Sequence, residues 1–439
     1  MGMGARARRT MTDARVILWG RDIGAVSWLD DREIGVFQYV PEFVDSGIEV
    51  APLMMPLRKA PYEFPALPRD AFKGLPGMLA DSLPDRYGNI LIDVWLAQQG
   101  RTPESFNPVE RLCYTGARGM GALEFKPTVL ARANQSNTLE VAELVDLANR
   151  ILDERSTLAG RLCSVDDARV IEDIFRVGTS AGGARAKVIL AWNEESGEFR
   201  SGQVPNDGKF SYWLMKFDGI EGNKDKEIAD PQGYGLIEYA YYHMAIDAGI
   251  EMSECRLHRE GGRAHFMTKR FDRTDQGGKL HMQSLSAMMH FDFNQADAYS
   301  YEQALQTIRR IKMPVADVEQ QYRRAVFNII ARNHDDHVKN IAYLMNKAGQ
   351  WRLSPAFDVA YSYNPNGAWT SRHQMSINGK RDGIEIDDLL ALGKSAAIKP
   401  ARARDIIAAV TESVRKWPEI ADAAGVDIET AERIGKAHK

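Results

Sequence analysis

The sequence has no long hydrophobic run and little cysteine. No stretch of this 439-residue chain approaches the roughly 18 consecutive apolar residues that a membrane-spanning helix needs, and the segment from Met1 to Arg9 lacks the apolar core of a secretory signal peptide. The cysteines, Cys113, Cys163 and Cys255, lie far apart and form no Cys-x-x-Cys pair, so reduced, buried thiols are expected rather than a disulfide framework. These absences favour a cytoplasmic protein without a membrane anchor.

Excess positive charge, internal repeats and low-complexity tracts are also missing. The formal net charge is −4 and the pI is about 6.2. This balance argues against a strongly basic nucleic-acid binder and leaves any DNA contact to a partner or a local basic patch. No period of about 20 to 50 residues recurs, which excludes a solenoid. The length and a hydrophobic content of 44% instead predict two or three globular domains with sizeable cores.

The first part of the chain predicts a small β-rich subdomain. Residues 1–14 are expected to be a disordered tail, in which Met11 is an alternative native start to Met1. Alternating apolar residues then predict a meander of strands over residues 16–19, 23–29 and 36–39. A proline-rich stretch follows, and after it a helix over residues 86–99 that ends at Gly100. We find no catalytic constellation in this part.

The most informative stretch is Asn333-His334-Asp335-Asp336-His337-Val338-Lys339-Asn340. Apolar residues at helical spacing from Val318 to Arg332 predict a helix before it, with Asn333 at the helix exit. Strand patterns over residues 341–345 and 351–353 predict a hairpin after it. Because the arms of a hairpin are antiparallel, Asn340 and Asp358 are expected to face one another, close to Asp335. Carboxylates about 4 Å apart repel by roughly 4 kcal/mol at an effective dielectric of 20, so this cluster favours a divalent cation such as magnesium.

The spacing and the flanking residues resemble a known family. Asp335 precedes Asn340 by five residues, the separation between the base and the metal-binding Asn in protein-kinase catalytic loops. Together with Lys339-Asn340 and the later Leu353-Ser354-Pro355-Ala356-Phe357-Asp358, the set closely resembles the HipA family of bacterial serine/threonine kinases, the toxins of type II toxin–antitoxin pairs. The resemblance extends from about Arg15 to about Trp417. It implies an α+β, bilobal kinase fold with an N-terminal subdomain at residues 15–135, a β-rich small lobe at 136–272 and a mostly helical C-terminal lobe at 273–439.

The predicted small lobe has features that fit this resemblance. Small residues over 177–186 precede the strand at 188–192 and would let backbone N–H groups approach a phosphate, although glycine-rich turns are common. Lys216 stands in an otherwise apolar strand, where it either extends to solvent or meets an anion. Glu238, in the predicted helix 235–248, is the natural partner of Lys216 or a solvated surface residue.

The resemblance also implies roles for individual residues. Asp335 would deprotonate the acceptor hydroxyl, and His337 would support the catalytic loop or a phosphate. Asn340 and Asp358 would hold Mg²⁺. ATP would be bound by Ser180, Ala181, Gly182, Gly183, Ala184, Lys216, Lys269, Phe271, His337 and Phe357. The position of Ser180 matches the serine that such kinases phosphorylate on themselves, with Thr179 as an alternative, and this autophosphorylation would switch the kinase off.

The resemblance further implies partners and a cellular role. The expected partner is a small helix-turn-helix antitoxin of the HipB type, which would hold operator DNA. The basic turn Gly379-Lys380-Arg381 would either touch that DNA or be a solvated loop. The expected substrate is a protein, such as an aminoacyl-tRNA synthetase, whose phosphorylation arrests growth and leads to persistence. Two alternatives remain at this stage, a metal-dependent phosphohydrolase using His334, Asp335 and His337, and a catalytically silent co-repressor subunit.

Overall fold

The computed structural model describes residues 13–98, 100–128, 141–142, 144–145, 185–202, 208–219, 233–274 and 276–439. Amphipathic spacing from Thr138 to Leu158 predicts a further helix, most of which lies outside these residues, as does the glycine-rich segment up to residue 184. Within the described residues the chain forms a four-stranded, a five-stranded and a three-stranded sheet. The paired strands are antiparallel throughout, and the helices occur mainly in the C-terminal half.

The N-terminal sheet contains the predicted meander and one additional strand. Its strands are β1 (Asp13–Leu18), β2 (Arg21–Leu29), β3 (Ile34–Tyr39) and β4 (Leu123–Lys126), in the order β3-β2-β1-β4. Because β1 begins at Asp13, the predicted tail of residues 1–14 extends two residues too far. The strand β4 was not predicted, since it pairs with a strand more than a hundred residues earlier and carries little local signal of its own.

The helices of the N-terminal subdomain connect it to the small lobe. Their bounds are Pro41–Val44, Arg69–Phe72, Gly77–Ala80, Arg86–Gln98 and Pro108–Thr115. Tyr87, Leu91 and Leu96 of the fourth helix are buried in one apolar cluster with Val188 and Trp213 of the small-lobe sheet. Burial of this face stabilises the contact at roughly 25 cal/mol per Å² of apolar surface removed from water. The N-terminal subdomain therefore forms one wall of the small lobe.

The small-lobe sheet carries the candidate phosphate-binding lysine. Its strands are β5 (Lys187–Trp192), β6 (Phe199–Ser201), β7 (Ser211–Lys216), β8 (Cys255–Glu260) and β9 (Arg263–Lys269), in the order β6-β5-β7-β9-β8. In this register Lys187 lies opposite Lys216. The helix Tyr234–Asp247 packs on β8 and β9. The predicted strand that contains Lys216 is confirmed, and β8 and β9 are joined by a tight hairpin at Gly261-Gly262.

The large lobe holds the loop Asn333–Asn340 between a long helix and the third sheet. That sheet consists of β10 (His281–Ser284), β11 (Ala342–Met345) and β12 (Trp351–Leu353), so the predicted hairpin gains a third strand. The helices have the bounds Leu285–Met289, Tyr301–Arg310, Val315–Ile330, Ile386–Ser395, Pro400–Arg415, Trp417–Ala424 and Ile428–Ala437. The helix before the loop ends earlier than predicted, because Arg332 and not Asn333 adopts the left-handed conformation, with φ of 57°. None of the helices in the described part of the chain is long and apolar enough to cross a membrane.

Candidate active site

Lys216 lies between two carboxylates at the end of β7. Its Nζ is 2.5 Å from Glu238 Oε1 and also contacts Asp358 Oδ1. Burial alone would lower the pKa of the Lys216 ammonium, but Asp358 and Glu238 outweigh it and raise that pKa above its usual value. Burial would likewise raise the pKa of Asp358, yet Lys216 and Lys187 hold it well below the ordinary range of an aspartate. The buried amine is therefore charged and meets an anion, which decides between the two interpretations of Lys216.

Glu238 also links the sheet to the residue that follows the glycine-rich segment. Its Oε2 lies 3.7 Å from Nη1 of Arg185, and the Arg185 guanidinium stacks 3.5 Å from the centroid of the Tyr234 ring. The Glu238 side chain is 3% exposed, and the nearby cations of Lys216 and Arg185 offset much of the cost of burying its charge. The structure thus shows Glu238 as the partner of Lys216 and not as a solvated surface residue.

A second buried ion pair, which the sequence analysis missed, lies beside the first. Lys187 Nζ is 3.2 Å from Asp85 Oδ2, and the two side chains are 3% and 2% exposed. Asp85 Oδ1 also accepts a hydrogen bond from the Gly88 N–H at 2.6 Å. Burial raises the pKa of Asp85, and Lys187 opposes part of this rise, with Lys339 of the loop Asn333–Asn340 a weaker influence. Charges of alternating sign therefore cross the cleft from Lys339 through Asp85 and Lys187 to Asp358.

Asp335, in the loop Asn333–Asn340, is held by hydrogen bonds to both its backbone and its side chain. Asn340 Nδ2 donates to the Asp335 carbonyl at 2.8 Å, and the Asp335 N–H donates to Ser362 Oγ at 2.9 Å. Ser362 Oγ in turn donates to Asn333 Oδ1 at 3.0 Å. The Asp335 carboxylate remains 28% exposed, and the indole Nε1 of Trp369 donates to its Oδ1 at 3.3 Å. Hydrogen bonds thus hold both the backbone and the side chain of Asp335, yet its carboxylate remains partly exposed.

The two histidines of the loop have different surroundings. His337 Nδ1 accepts a hydrogen bond from the Lys339 N–H at 3.2 Å, and its Nε2 lies 3.8 Å from Asp335 Oδ1. His334 is 0% exposed, with its ring centroid 3.9 Å from that of His373, and burial lowers its pKa to about 3. Across the described residues, no group of three or more His, Cys, Asp or Glu side chains is placed to hold a metal ion. This arrangement gives no support to a hydrolase site built on His334, Asp335 and His337.

The neighbouring Asp336 is a buried anchor of the loop. It is 4% exposed and accepts hydrogen bonds from Tyr301 OH and the Gln374 N–H, both at 2.7 Å, while His373 Nδ1 lies 2.9 Å away. Burial would raise the pKa of Asp336, but His373, Tyr301 and Gln374 together lower it. A carboxylate satisfied in this way holds the loop to the helix Tyr301–Arg310.

The segment 269–273, which the family resemblance implies is the hinge between the lobes, is joined to the N-terminal subdomain. Asp272 is 0% exposed and lies 2.6 Å from Arg270 Nη2 and 2.5 Å from Arg273 Nη1, and it accepts the Gly121 N–H at 2.7 Å. The rings of Phe271 and Phe357 have centroids 5.5 Å apart across the cleft. The Phe271 and Phe357 rings therefore lie next to one another, while Asp272 connects the hinge to the N-terminal subdomain.

Other predicted site residues are placed differently or fall outside the structure. The Lys269 N–H donates to the Glu254 carbonyl at 2.8 Å, so this N–H is not available to a ligand. In the basic turn Gly379-Lys380-Arg381, Lys380 Nζ lies 2.8 Å from Asp388 Oδ2. Arg381, in the same turn, donates through Nε to the His373 carbonyl. Both cations therefore have partners within the chain. Thr179, Ser180, Ala181, Gly182, Gly183 and Ala184 lie outside the described residues.

Comparison with known proteins gives the relationship of the whole chain. A model of the HipA N-terminal domain matches residues 14–126, and a model of the HipA-like C-terminal domain matches residues 179–417. The chain belongs to the HipA family. A curated relative, the putative kinase Y4dM of Sinorhizobium fredii, is 24% identical over 264 residues, which are 58% of this chain and 62% of the relative. This HipA-family chain thus spans about three fifths of the length of that relative.

A solved structure shows the same fold. The match is to the Shewanella oneidensis complex of HipA, HipB and operator DNA, with a TM-score of 0.67 at 17% identity. It covers 96% of this chain and 94% of the matched chain. The α+β, HipA-like architecture predicted from the sequence is therefore confirmed.

Proposed function

We propose that this HipA-family protein is a magnesium- and ATP-dependent kinase that phosphorylates serine or threonine residues of a protein. One observation carries the proposal: Lys216 contacts both Glu238 and Asp358, and Asp358 lines the same cavity as His337 and Asn340 of the loop that also holds Asp335. A lysine–glutamate pair beside a metal-binding aspartate and a catalytic-loop aspartate is the set of side chains that phosphoryl transfer uses.

The residues present suit a hard divalent cation and the phosphates of ATP. Asn340 donates to the Asp335 carbonyl through Nδ2, so its amide oxygen is the atom that would face a cation, together with the Asp358 carboxylate. Oxygen donors of this kind suit Mg²⁺, which would neutralise the charge of the phosphates when bound. Lys216 would hold the α- and β-phosphates, and Phe271 and Phe357 would line the site of the adenine.

Asp335 would accept the proton of the acceptor hydroxyl. As the oxygen of that hydroxyl bonds to the γ-phosphorus, the bond between this phosphorus and the β,γ-bridging oxygen breaks, and ADP leaves. Asp335 is suited to this step because Ser362 and Asn340 hold its backbone while its carboxylate remains partly exposed.

An assay with γ-labelled ATP tests the proposal. The purified protein is incubated with a bacterial lysate, and label in protein is measured beside label in free phosphate. A kinase transfers label to protein, and Asp335→Asn abolishes the transfer while leaving ATP affinity within a few-fold, because the base acts on the acceptor and not on the nucleotide. Release of free phosphate alone would favour the hydrolase, and no turnover would favour the silent co-repressor. Wild-type turnover in Asp335→Asn would overturn the assignment of the base.

The finer parts of the function also belong to this proposal. The family relationship and the likeness to a HipA–HipB–operator complex support a toxin that arrests growth, a HipB-like antitoxin and co-repression on operator DNA. The aminoacyl-tRNA synthetase substrate rests on the family resemblance alone. Autophosphorylation of Ser180, or of Thr179, would be detected by phosphopeptide mass spectrometry as a phosphate present in the wild type and absent from Asp335→Asn.

A further inference from the structure

The segment from Trp369 to Gln374 returns to the catalytic loop after Asp358 and contacts two successive aspartates. At one end, Trp369 Nε1 donates to Asp335 Oδ1 at 3.3 Å. At the other end, the Gln374 N–H donates to Asp336 Oδ1 at 2.7 Å. Both ends of this short segment are therefore attached to adjacent residues of the loop that carries the proposed base.

A further hydrogen bond closes these contacts into a ring. Gln374 Nε2 donates to the Trp369 carbonyl at 2.5 Å, so the ring runs from Asp335 through Trp369 and Gln374 to Asp336 and back along the chain. Its fixed point is Asp336, which is 4% exposed and is also bound by Tyr301 OH at 2.7 Å. Because a buried carboxylate with several donors is held rigidly, the backbone carbonyl of Trp369 is tied through Gln374 to the interior of the large lobe.

We propose that Trp369 is a positioning residue for the phosphoryl transfer, and that its indole N–H holds the Asp335 carboxylate in the orientation that receives the acceptor proton. The inference rests on the proposed kinase function. A hydrogen bond to one oxygen restrains rotation of the carboxylate about its Cβ–Cγ bond, so it also favours one direction for the other oxygen. Indole suits this role because its nitrogen is a donor only and cannot take the proton in place of Asp335.

Replacing Trp369 by phenylalanine separates the N–H from the packing of the ring. Trp369→Phe keeps an aromatic side chain and removes the donor, so kcat should fall about tenfold, the low end for a hydrogen bond to a charged group. The KM for ATP should stay within a factor of about two, since the nucleotide does not contact this group in the proposed mechanism. Trp19→Phe is the matched control, because Trp19 Nε1 donates at 2.7 Å to the Lys279 carbonyl outside the site, and it should leave both constants unchanged.

A second measurement does not depend on kinase activity. The protein contains eight tryptophans, and the indole N–H resonance of Trp369 is identified in a ¹⁵N-labelled sample as the signal that Trp369→Phe lacks. If Trp369→Phe does not fold, the resonance is identified instead by selective loss in Trp369→His. Asp335→Asn replaces a charged acceptor by a neutral one, so this resonance should move while that of Trp19 stays in place.

The outcomes distinguish this inference from the kinase proposal. If the wild-type protein is inactive but its Trp369 resonance moves in Asp335→Asn, the kinase proposal is overturned. The hydrogen bond between Trp369 and Asp335, on which the positioning role depends, is then still supported. Wild-type kcat in Trp369→Phe, or an unmoved Trp369 resonance in Asp335→Asn, would overturn the positioning role whatever the enzyme does.

Discussion

Asp85 of the N-terminal subdomain and Lys187 of the small lobe form a buried ion pair, with Oδ2 and Nζ 3.2 Å apart. Lys187 also acts on Asp358, whose pKa it helps to lower. The N-terminal subdomain thereby supplies a carboxylate to the charges that line the cleft. In this chain the subdomain is part of the structure of the candidate active site, since it also binds the hinge through the Gly121 N–H and Asp272.

The first prediction concerns this pair. Asp85→Asn retains the shape of the side chain and an acceptor for Gly88, but removes the charge that neutralises Lys187. Because a buried ammonium is then left without its counter-charge, the free energy of unfolding should fall by about 3–5 kcal/mol, measured by urea titration. The double variant Asp85→Asn with Lys187→Met should recover part of the loss. Asp247→Asn breaks an exposed pair with Lys416 and should have little effect. An equally small effect in Asp85→Asn would contradict the argument.

The second prediction concerns Lys216. Lys216→Ala should raise the dissociation constant for ATP by roughly one to two orders of magnitude, because a hydrogen bond to a charged group contributes about 1.5–3 kcal/mol. Calorimetric titration with ATP and magnesium measures the change. Lys347→Ala, in the exposed turn between β11 and β12, is the control for loss of a lysine. Unchanged affinity in Lys216→Ala would leave Lys216 as a structural partner of Glu238 and Asp358 alone.

The sequence predicts those parts of the site that depend on local pattern. The helix before Asn333, the hairpin after Asn340 and the strand that ends at Lys216 all have clear apolar periodicity. Their connection brings Asp335, Asn340 and Asp358 into one cleft. The charge of Lys216 in an apolar strand left two interpretations open, solvent or a buried anion, and the same alternatives apply to Lys187 at the start of β5 without naming its partner.

Other parts of the site depend on contacts between distant segments. In the sequence, Asp85 is an ordinary residue just before a helix, and its hydrogen bond to Gly88 is local. Its contact with Lys187 arises only when the helix Arg86–Gln98 packs on the small-lobe sheet. Trp369 lies in an irregular loop with no periodicity, so nothing in its neighbourhood marks it as the donor to Asp335. Long-range pairing also explains the unpredicted strands β4 and β10.

The third prediction is a loss of stability in mild acid. His265 Nδ1 accepts the Asp218 N–H at 3.0 Å, and burial, together with repulsion from His258, lowers the pKa of His265 to about 4. Since the unfolded chain binds a proton near pH 6.5, His265 stabilises the fold above that pH. This contribution is lost as the pH falls from about 6.5 toward 4, at up to about 1.4 kcal/mol per pH unit. Other histidines whose pKa is lowered by burial are His243, His281, His290, His334 and His438.

A single substitution isolates the contribution of His265. His265→Asn keeps an acceptor near the position of Nδ1 and removes the titrating ring. The free energy of unfolding, measured by urea titration between pH 7.5 and 5, should therefore fall less steeply in the variant than in the wild type. Parallel curves for the two proteins would show that His265 does not carry the effect.

The last prediction concerns the helix that presents Glu238 to Lys216. Gly235 lies in its first turn, where an added Cβ would meet the Ala264 carbonyl of β9 closer than real Cβ atoms approach. Because a backbone atom cannot move aside, Gly235→Ala should push the helix off the sheet and separate Glu238 from Lys216. We expect a loss of about 1–3 kcal/mol in the free energy of unfolding, together with weaker ATP binding. Gly393→Ala is the matched control, since this glycine is also helical but meets only side-chain atoms, at 3.1 Å and beyond. It should leave ATP binding unchanged. Wild-type affinity for ATP in Gly235→Ala would show that nucleotide binding does not require the Lys216–Glu238 contact.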